Sequence, residues 1–494
     1  MEAKTYYFVG IGGIGMSAIA RYLKNNGHKV YGYDRTQTFL TSELEKEGMI
    51  ITYKDDPDTL PKVIDLAIYT PAIPSENKLL KEIIKRGIQL NKRAFALAEK
   101  KKKKKVIAIA GTHGKTTTSG LIAHLLHNSK IGCSAFLGGI ANNYSTNMLC
   151  NTKSEYVVVE ADEYDRSFLQ LNPYISAITS ISPDHLDIYQ NKENLEQAFI
   201  QFANQTNKKG QIFLKKEISV ETDSEISANT YSLTNIEADY YAWNIRVSNG
   251  SYYFDYHTPE KVYYDMQMTY PGIHNIENAI LALSIALQLG VNEYELRAGL
   301  KSFKGMKRRF DLKLKTQDTI YYDDYAHHPE EIEATITSLK HLYPNKRICG
   351  IFQPHLYSRT KDFADEFAKA LEELDDIILL PIYPALSFTS EAQACHERYV
   401  YVVHVPLVGI LAILRLLLPS LAGEVHLGLQ GTHHGKILLA GIAHGKAHFR
   451  SYQHALLYFW RKGNGVHHYT SVHANSQVGT VFSHLCRSKD GNKA

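Results

Sequence analysis

The chain has 494 residues, 44% of them hydrophobic and 21% charged, which is enough for about three domains at ~150 residues each and excludes a disordered or collagen-like chain. Five scattered cysteines, Cys133, Cys150, Cys349, Cys395 and Cys486, speak against a disulfide framework and for the reduced thiols of a cytoplasmic protein. The net charge of +4 is too small and too dispersed for a nucleic-acid partner, and the opening MEAKTYYFVGIGGIG has no basic stretch leading into a long apolar one, so no secretory signal is expected.

Residues 5–9 (TYYFV) predict a short buried strand. A glycine-rich turn, an apolar-periodic segment over 16–26 and a second strand over 29–33 follow, a β-α-β opening. In the turn, Gly10, Gly12 and Gly15 keep the spacing G-x-G-x-x-G, with Gly13 beside them. Such glycines let the backbone turn tightly and approach a diphosphate, and the helix N-terminus behind them adds a positive dipole. Asp34 ends the second strand, where an acid can bind a ribose hydroxyl. Alone, this pattern reads as an NAD-dependent dehydrogenase or as a tight turn without a ligand. It specifies a diphosphate more firmly than a nicotinamide, and nothing downstream suggests hydride chemistry.

The lysine run 100–105 predicts a solvated domain edge. A new strand over 106–110 runs into Gly111, Thr112, His113, Gly114, Lys115, Thr116, Thr117 and Thr118, and a helix starts near Lys115. Ile109 stands where the first glycine of the usual phosphate loop would be, but the working parts remain. Backbone amides can cradle phosphate, Lys115 can reach the β/γ oxygens, and Thr116 or Thr117 can hold Mg²⁺. The strand YVVVE ends in Glu160-Ala161-Asp162-Glu163, carboxylates placed to bind the same cation. His185, in SPDHLD, is a candidate metal ligand or phosphate neighbour beside that acidic cluster. Residues 230–268, rich in Tyr and Thr, predict an antiparallel β excursion; SFKGMKRRFD predicts a loop between domains; a third α/β unit opens at 320–324.

Nine segments, in order, resemble the Mur ligases: VGIGGIGMSAIA (9–20), YTPAI (69–73), AGTHGKTTT (110–118), EADEYDRSFL (160–169), DHLDIY (184–189), PGIHNIENA (271–279), FKGMKRRFD (303–311), DDYAHHPEE (323–331) and FQPHLYSRT (352–360). The resemblance implies an α/β protein of three domains. They are a Rossmann-like domain over 1–104 that binds a UDP-sugar, a central P-loop ATPase-type domain over 105–311, and a Rossmann-like amino-acid-binding domain beginning over 312–385. It implies ATP-dependent amide formation, through an acyl phosphate, between the lactyl carboxylate of UDP-N-acetylmuramate and the amine of L-alanine, with ATP and Mg²⁺ (or Mn²⁺) as cofactors. The diphosphate at Gly10, Gly12, Gly13, Gly15 and Asp34 is then the nucleotide-sugar's. By the same resemblance Gly111, Thr112, Gly114, Lys115, Thr116, Thr117, His274, Asn275, Asn278 and Asp324 contact ATP, and Thr116, Glu160 and His185 hold the metal. Tyr325, His327 and Arg359 lie near the amino acid, Arg359 able to hold its carboxylate in a bidentate fork. His113 faces the muramoyl carboxylate, and Lys115 and Arg309 offset phosphoryl charge. Leu356 stands where some members carry a second basic residue, which leaves Arg359 alone there. The family's ligase for a recycled tripeptide remains an alternative.

The pattern stops at Ala385. Residues 386–494 hold 10 Lys+Arg, 4 Asp+Glu and 12 of the 23 histidines. The apolar stretch 399–418 has nearly membrane-spanning length but carries His404, Pro406 and Arg415, costly in lipid, so no membrane partner is expected. GTHHGK (431–436) lacks a Ser/Thr after its lysine and is read as chance, as is the His444/His448 pair. The expectation for 386–494 is an out-of-frame or fused segment. It would leave the third domain with an unpaired sheet edge and the chain open to being an inactive remnant.

Overall fold

The computed structural model describes residues 3–70, 72–92, 104–164, 166–182, 189–248, 250–316, 319–355, 357–380 and 382, with the short strands 399–403, 425–427, 441–443 and 458–461. His185, Leu356, His404, Pro406, Arg415, the GTHHGK segment and the His444/His448 pair lie outside the described residues. The chain divides into two compact units, Met1–Lys307 and Arg308–Ala494.

The first unit opens with β1 (Thr5–Val9), α1 (Ile14–Asn25), β2 (Lys29–Tyr33), α2 (Phe39–Lys46), β3 (Ile50–Thr52), β4 (Leu66–Tyr69), α3 (Lys78–Lys85) and β5 (Leu90–Lys92). Their sheet has the order β3-β2-β1-β4-β5, all parallel. Strand β1 is central and buried on both faces, as its unbroken apolar run requires. Its Phe8 and Val9 are fully buried, and Ile11, Met16 and Leu23 pack from the α1 side.

The same unit continues with β6 (Lys105–Ala110), α4 (Lys115–His127), β7 (Ser134–Ala141), β8 (Thr146–Leu149), β9 (Tyr156–Glu160), β10 (Ile175–Ile178), α5 (Lys192–Asn204), β11 (Gln211–Lys215), β12 (Ser227–Ser232), β13 (Tyr240–Ser248), β14 (Ser251–His257), β15 (Val262–Met268), α6 (Ile273–Gln288) and α7 (Glu293–Ser302). The ten-stranded sheet runs β15-β14-β13-β12-β11-β10-β6-β9-β7-β8. The antiparallel excursion is narrower than the sequence predicts: β12 lies parallel to β11, and β13 joins β12 in parallel through Tyr231 and Ser232 alone. Only the β13-β14-β15 hairpins are antiparallel there, because tight turns let each strand double back directly. Helix α4 is buried along nearly its whole length; small hydroxyl residues and Gly120 make up its first turns and Leu121, Ile122, Leu125 and Leu126 its apolar end.

A polar network ties α1 to the β7–β8 layer. Arg21, buried on α1, donates from Nε and Nη2 to the Glu47 carboxylate at 2.9 and 2.7 Å and from Nη1 to Asn147 Oδ1 at 2.5 Å. Asn147, on β8, donates to the Ile14 carbonyl (2.6 Å) and to Ser17 Oγ (2.9 Å).

The second unit contains β16 (Asp311–Lys315), β17 (Ile320–Asp324), α8 (Pro329–Leu342), β18 (Ile348–Phe352), α9 (Tyr357–Asp362), α10 (Ala364–Leu371), β19 (Asp376–Leu379), β20 (Tyr399–Val403), β21 (Val425–Leu427), β22 (Gly441–Ala443) and β23 (Tyr458–Arg461). Its main sheet has the order β16-β17-β20-β18-β19-β23. Strand β20 sits between β17 and β18 and is antiparallel to both. Among the described residues no helix is long and apolar enough to cross a membrane.

Candidate active site

At the first glycine loop the backbone turns at Gly10, whose φ is +87°, and the amides of Gly10 and Ile11 both donate to the Tyr33 carbonyl (2.8 and 3.0 Å). The Gly12 amide donates to Asp34 Oδ2 at 2.7 Å, and a methyl group at Gly12 would lie 2.7 Å from that same oxygen. Asp34 thus closes onto the loop. Burial raises its pKa against the pull of the Gly12, Thr36 and Arg35 amides. Gly13 caps α1 without a side-chain bond, and Gly15 lies in the helix's first turn.

The second loop joins β6 to α4. Gly111 (φ +127°) and Gly114 (φ +82°) occupy backbone conformations that L side chains rarely adopt. A side chain on Gly114 would press on Asn278 Oδ1 at 2.7 Å. Ser180, after β10, fixes the loop's middle: it accepts from the His113 amide (2.7 Å), and its hydroxyl pairs with Thr112 Oγ1 (2.8 Å). Lys115 Nζ donates to Glu163 Oε1 (2.9 Å) and to the Gly111 carbonyl (2.5 Å). Burial opposes the lysine's charge, but Glu163, Glu160 and Asp162 outweigh it, so its pKa stands above the ordinary value. The second oxygen of Glu163 is buried with no partner among the described residues. Thr116 Oγ1 donates to both oxygens of Glu160 (3.0 and 2.9 Å), at the end of β9, and the Gly138 amide donates to Glu160 Oε2 at 3.0 Å. Two oxygen donors side by side suit a hard divalent cation. Of the two threonines considered from sequence, it is Thr116 that meets the carboxylate; Thr117 is buried in α4.

Helix α6 brings its asparagines to this loop. Asn278 Oδ1 accepts from Thr118 Oγ1 (3.1 Å), and Asn278 Nδ2 donates to Asn275 Oδ1 (3.0 Å). His274 shares that first turn, its ring against Gly272. Ile14, Gly15 and Ile19 of the helix after the first glycine loop line a cleft together with Phe136, Gly138 and Glu160.

The second unit gathers a cluster of its own. Asp324, buried at the end of β17, accepts from the Phe310 and Tyr325 amides (3.1 and 2.8 Å) and from Thr335 Oγ1 (2.5 Å). The guanidinium groups of Arg308 and Arg309 lie 5.2 and 5.0 Å from the Tyr325 ring centre. The His327 amide donates to Glu331 Oε2 (2.9 Å), and its ring packs edge-on against Tyr325. Burial lowers the His327 pKa; Glu331 pulls it up, and the charges of Arg359 and Arg309 push it further down. His328 is buried with its ring edge-on to Phe363.

Three family models match the chain in sequence order. They are "Mur ligase family, catalytic domain" over 5–104, "Mur ligase middle domain" over 109–286 and "Mur ligase, glutamate ligase domain" over 308–405. The chain is 46% identical over 389 residues to the UDP-N-acetylmuramate–L-alanine ligase of Porphyromonas gingivalis, covering 77% of this chain and 85% of that one. This chain belongs to the Mur ligase family. It is 45% identical to the ligase of the same name from Christiangramia forsetii, over 77% of this chain and 84% of that one. It superposes on the UDP-N-acetylmuramate-alanine ligase of Thermotoga maritima with a TM-score of 0.67 at 29% identity, over 77% of this chain and 85% of that one. A murein peptide ligase from Psychrobacter arcticus (TM-score 0.59, 23% identity, 76% and 84% covered) shares the fold.

The sequence-predicted residues of this Mur ligase fall into two groups. Gly10, Gly12, Gly13, Gly15 and Asp34, then Gly111 to Thr117 with Glu160, Asn275 and Asn278, are positioned within the first unit. Arg309, Asp324, Tyr325, His327 and Arg359 belong to the second. Sequence reasoning missed Glu163 as the partner of Lys115, and Thr179 and Ser180 as the loop's anchors. The third acid of EADEYD was the available signal for Glu163. For Thr179 and Ser180 there was none, since they meet the loop only because β10 lies beside β6.

Proposed function

We infer that this protein joins L-alanine to the lactyl carboxylate of UDP-N-acetylmuramate at the expense of ATP, in the synthesis of peptidoglycan precursors. The supporting observation is the phosphate loop with Lys115 beside Glu163 and Thr116 on Glu160, in a chain that spans 85% of a relative named for that reaction. The domains are taken as 1–104 for the nucleotide-sugar, 105–311 for ATP and 312 onward for the amino acid, in a cytoplasmic enzyme.

A carboxylate is a poor electrophile, so one of its oxygens first attacks the γ-phosphorus of ATP. ADP leaves and an acyl phosphate forms. The alanine amine, as its free base, then adds to the acyl carbon; phosphate departs and takes up the proton that the nitrogen releases. Lys115 and Arg309 offset charge on the moving phosphoryl group. Mg²⁺ or Mn²⁺ held by Thr116 and Glu160, with His185 as the further candidate ligand, supplies charge neutralisation at the phosphates when bound. Asn275 and Asn278 offer both donor and acceptor faces to an adenine edge, and Asp324 contacts the nucleotide. Arg359 grips the alanine carboxylate, Tyr325 and His327 flank it, and a His327 kept neutral by burial adds no positive charge beside the amine. His113 faces the sugar's carboxylate. No further base is required where positioning brings amine and acyl carbon together.

The test is ADP release from purified protein. Release that requires both UDP-N-acetylmuramate and L-alanine is expected. Release only with a tripeptide in place of alanine would overturn the substrate assignment.

A further inference from the structure

The sequence of SFKGMKRRFD predicts a loop between domains, and its methionine packs against the helix that follows the phosphate loop. Met306 is fully buried. It is held along the end of β7 by a bridge to Ala141 and by flanking bonds from the Lys307 amide to the Ile140 carbonyl (2.8 Å) and from the Asn142 amide to the Gly305 carbonyl (3.0 Å). Its side chain points between two glycines. A methyl group on Gly120, inside α4, would collide with the Met306 sulfur. A methyl group on Gly139, on β7, would lie 3.5 Å from Met306 Cε and 3.0 Å from Thr116 Cγ2. The thioether methyl and the threonine methyl therefore border one and the same space.

Threonine in a helix divides between two rotamers, so the backbone alone does not decide whether its hydroxyl or its methyl faces a given neighbour. Here the hydroxyl faces Glu160. Glycine weakens a helix interior, and Gly120 is tolerated because a larger residue would expel Met306.

We propose that Met306 is a positioning residue for the reaction: by filling the space beside Gly139 it holds Thr116 in the rotamer that directs its hydroxyl to Glu160 and so to the cation. This rests on the reading of Thr116 and Glu160 as cation ligands. A packing residue behind a ligand acts on metal affinity without touching the metal.

The experiment titrates Mg²⁺ against binding of a fluorescent ATP analogue to the full-length protein, with ADP release and thermal unfolding measured in parallel. Met306→Ala is expected to raise the half-saturating Mg²⁺ concentration about tenfold while leaving analogue binding in EDTA unchanged. Met306→Leu, which refills the space, should restore it to within about twofold. In a Thr116→Ser background, which lacks the methyl, Met306→Ala should add nothing further. Thr116→Ala separates the two readings. If it raises the Mg²⁺ requirement and Met306→Ala does not, the positioning role is wrong and the ligand assignment stands. If Thr116→Ala leaves the requirement unchanged, the ligand assignment fails and the positioning role fails with it. A lowered melting temperature in Met306→Ala without a change in Mg²⁺ dependence marks ordinary core packing and overturns the proposal. Should Met306→Ala not fold, Met306→Val withdraws the sulfur and terminal methyl and carries the same expectations.

Discussion

In the proposed reaction, phosphoryl transfer leans on Lys115. Its ammonium is held by Glu163 and by loop carbonyls in a buried setting, so it is charged and placed before any ligand arrives. Lys115→Met should reduce ADP release by about 10²-fold or more, with UDP-N-acetylmuramate binding by calorimetry unchanged. Two other buried groups make opposite demands on pH. Burial, reinforced by His127, pulls His124 down to about 4, where it bridges Tyr144 and Ser302. The unfolded chain protonates that histidine near pH 6.5, so between there and about 4 the unfolded state binds more protons. Stability is lost as pH falls through that window. His124→Gln should remove a slope on the order of 3 kcal/mol, read from urea unfolding at pH 7 and pH 4. Asp323 runs the other way: burial holds its carboxyl up at about 6, against Arg308 and Lys313. The folded state keeps a proton there that the unfolded state has released, so stability falls as pH rises from about 4 to 6. Asp323→Asn should flatten that dependence, seen as a melting temperature that no longer drops across the window.

Among the elements, those whose cues are local were legible. Strands β1 and β2 fall on the predicted residues because a short apolar run bounded by glycine-rich turns leaves few alternatives. The helix after Gly114 begins at Lys115 because its loop chemistry is written in consecutive residues. The docking of α1 on β8 was not legible. Arg21 is separated from Asn147 by 126 positions, and a lone arginine in an amphipathic helix reads as a solvated side chain until the fold buries it. Asn147→Ala would strand the Arg21 Nη1 donor, while the Ile14 carbonyl keeps the Ser17 hydroxyl as a donor. A loss of about 2 kcal/mol, measured by chemical denaturation of the first unit, is the expected result; no loss would mean that water replaces the amide. Strand β13 pairs antiparallel with β14 as the sequence suggests, but its parallel join to β12 was not legible for a similar reason: it involves two residues and leaves no periodic mark.

For the whole molecule, the three family domains were legible as nine motifs in order, and the last family match runs to residue 405, past Ala385. The segment YVYVV, an apolar run too short to classify by periodicity, was read as the start of a membrane-length stretch; its residues form β20 in the sheet. The proposal that 386–494 is a fused or out-of-frame segment is checked by resequencing the locus: an intact frame with the same tail in close relatives removes it. A chain ended at Ala385 loses β20, and hydrogen exchange at β17 and β18 should then accelerate toward that of open strand edges. The placement of β20 also orders events at the ribosome. Neither β17 nor β18 can complete its ladder until Val403 has emerged from the exit tunnel, so this part of the nascent polypeptide stays unsealed while the preceding domains are already finished. A translational stall before Tyr399 would present two raw edges at once, the kind of surface that holdase chaperones capture.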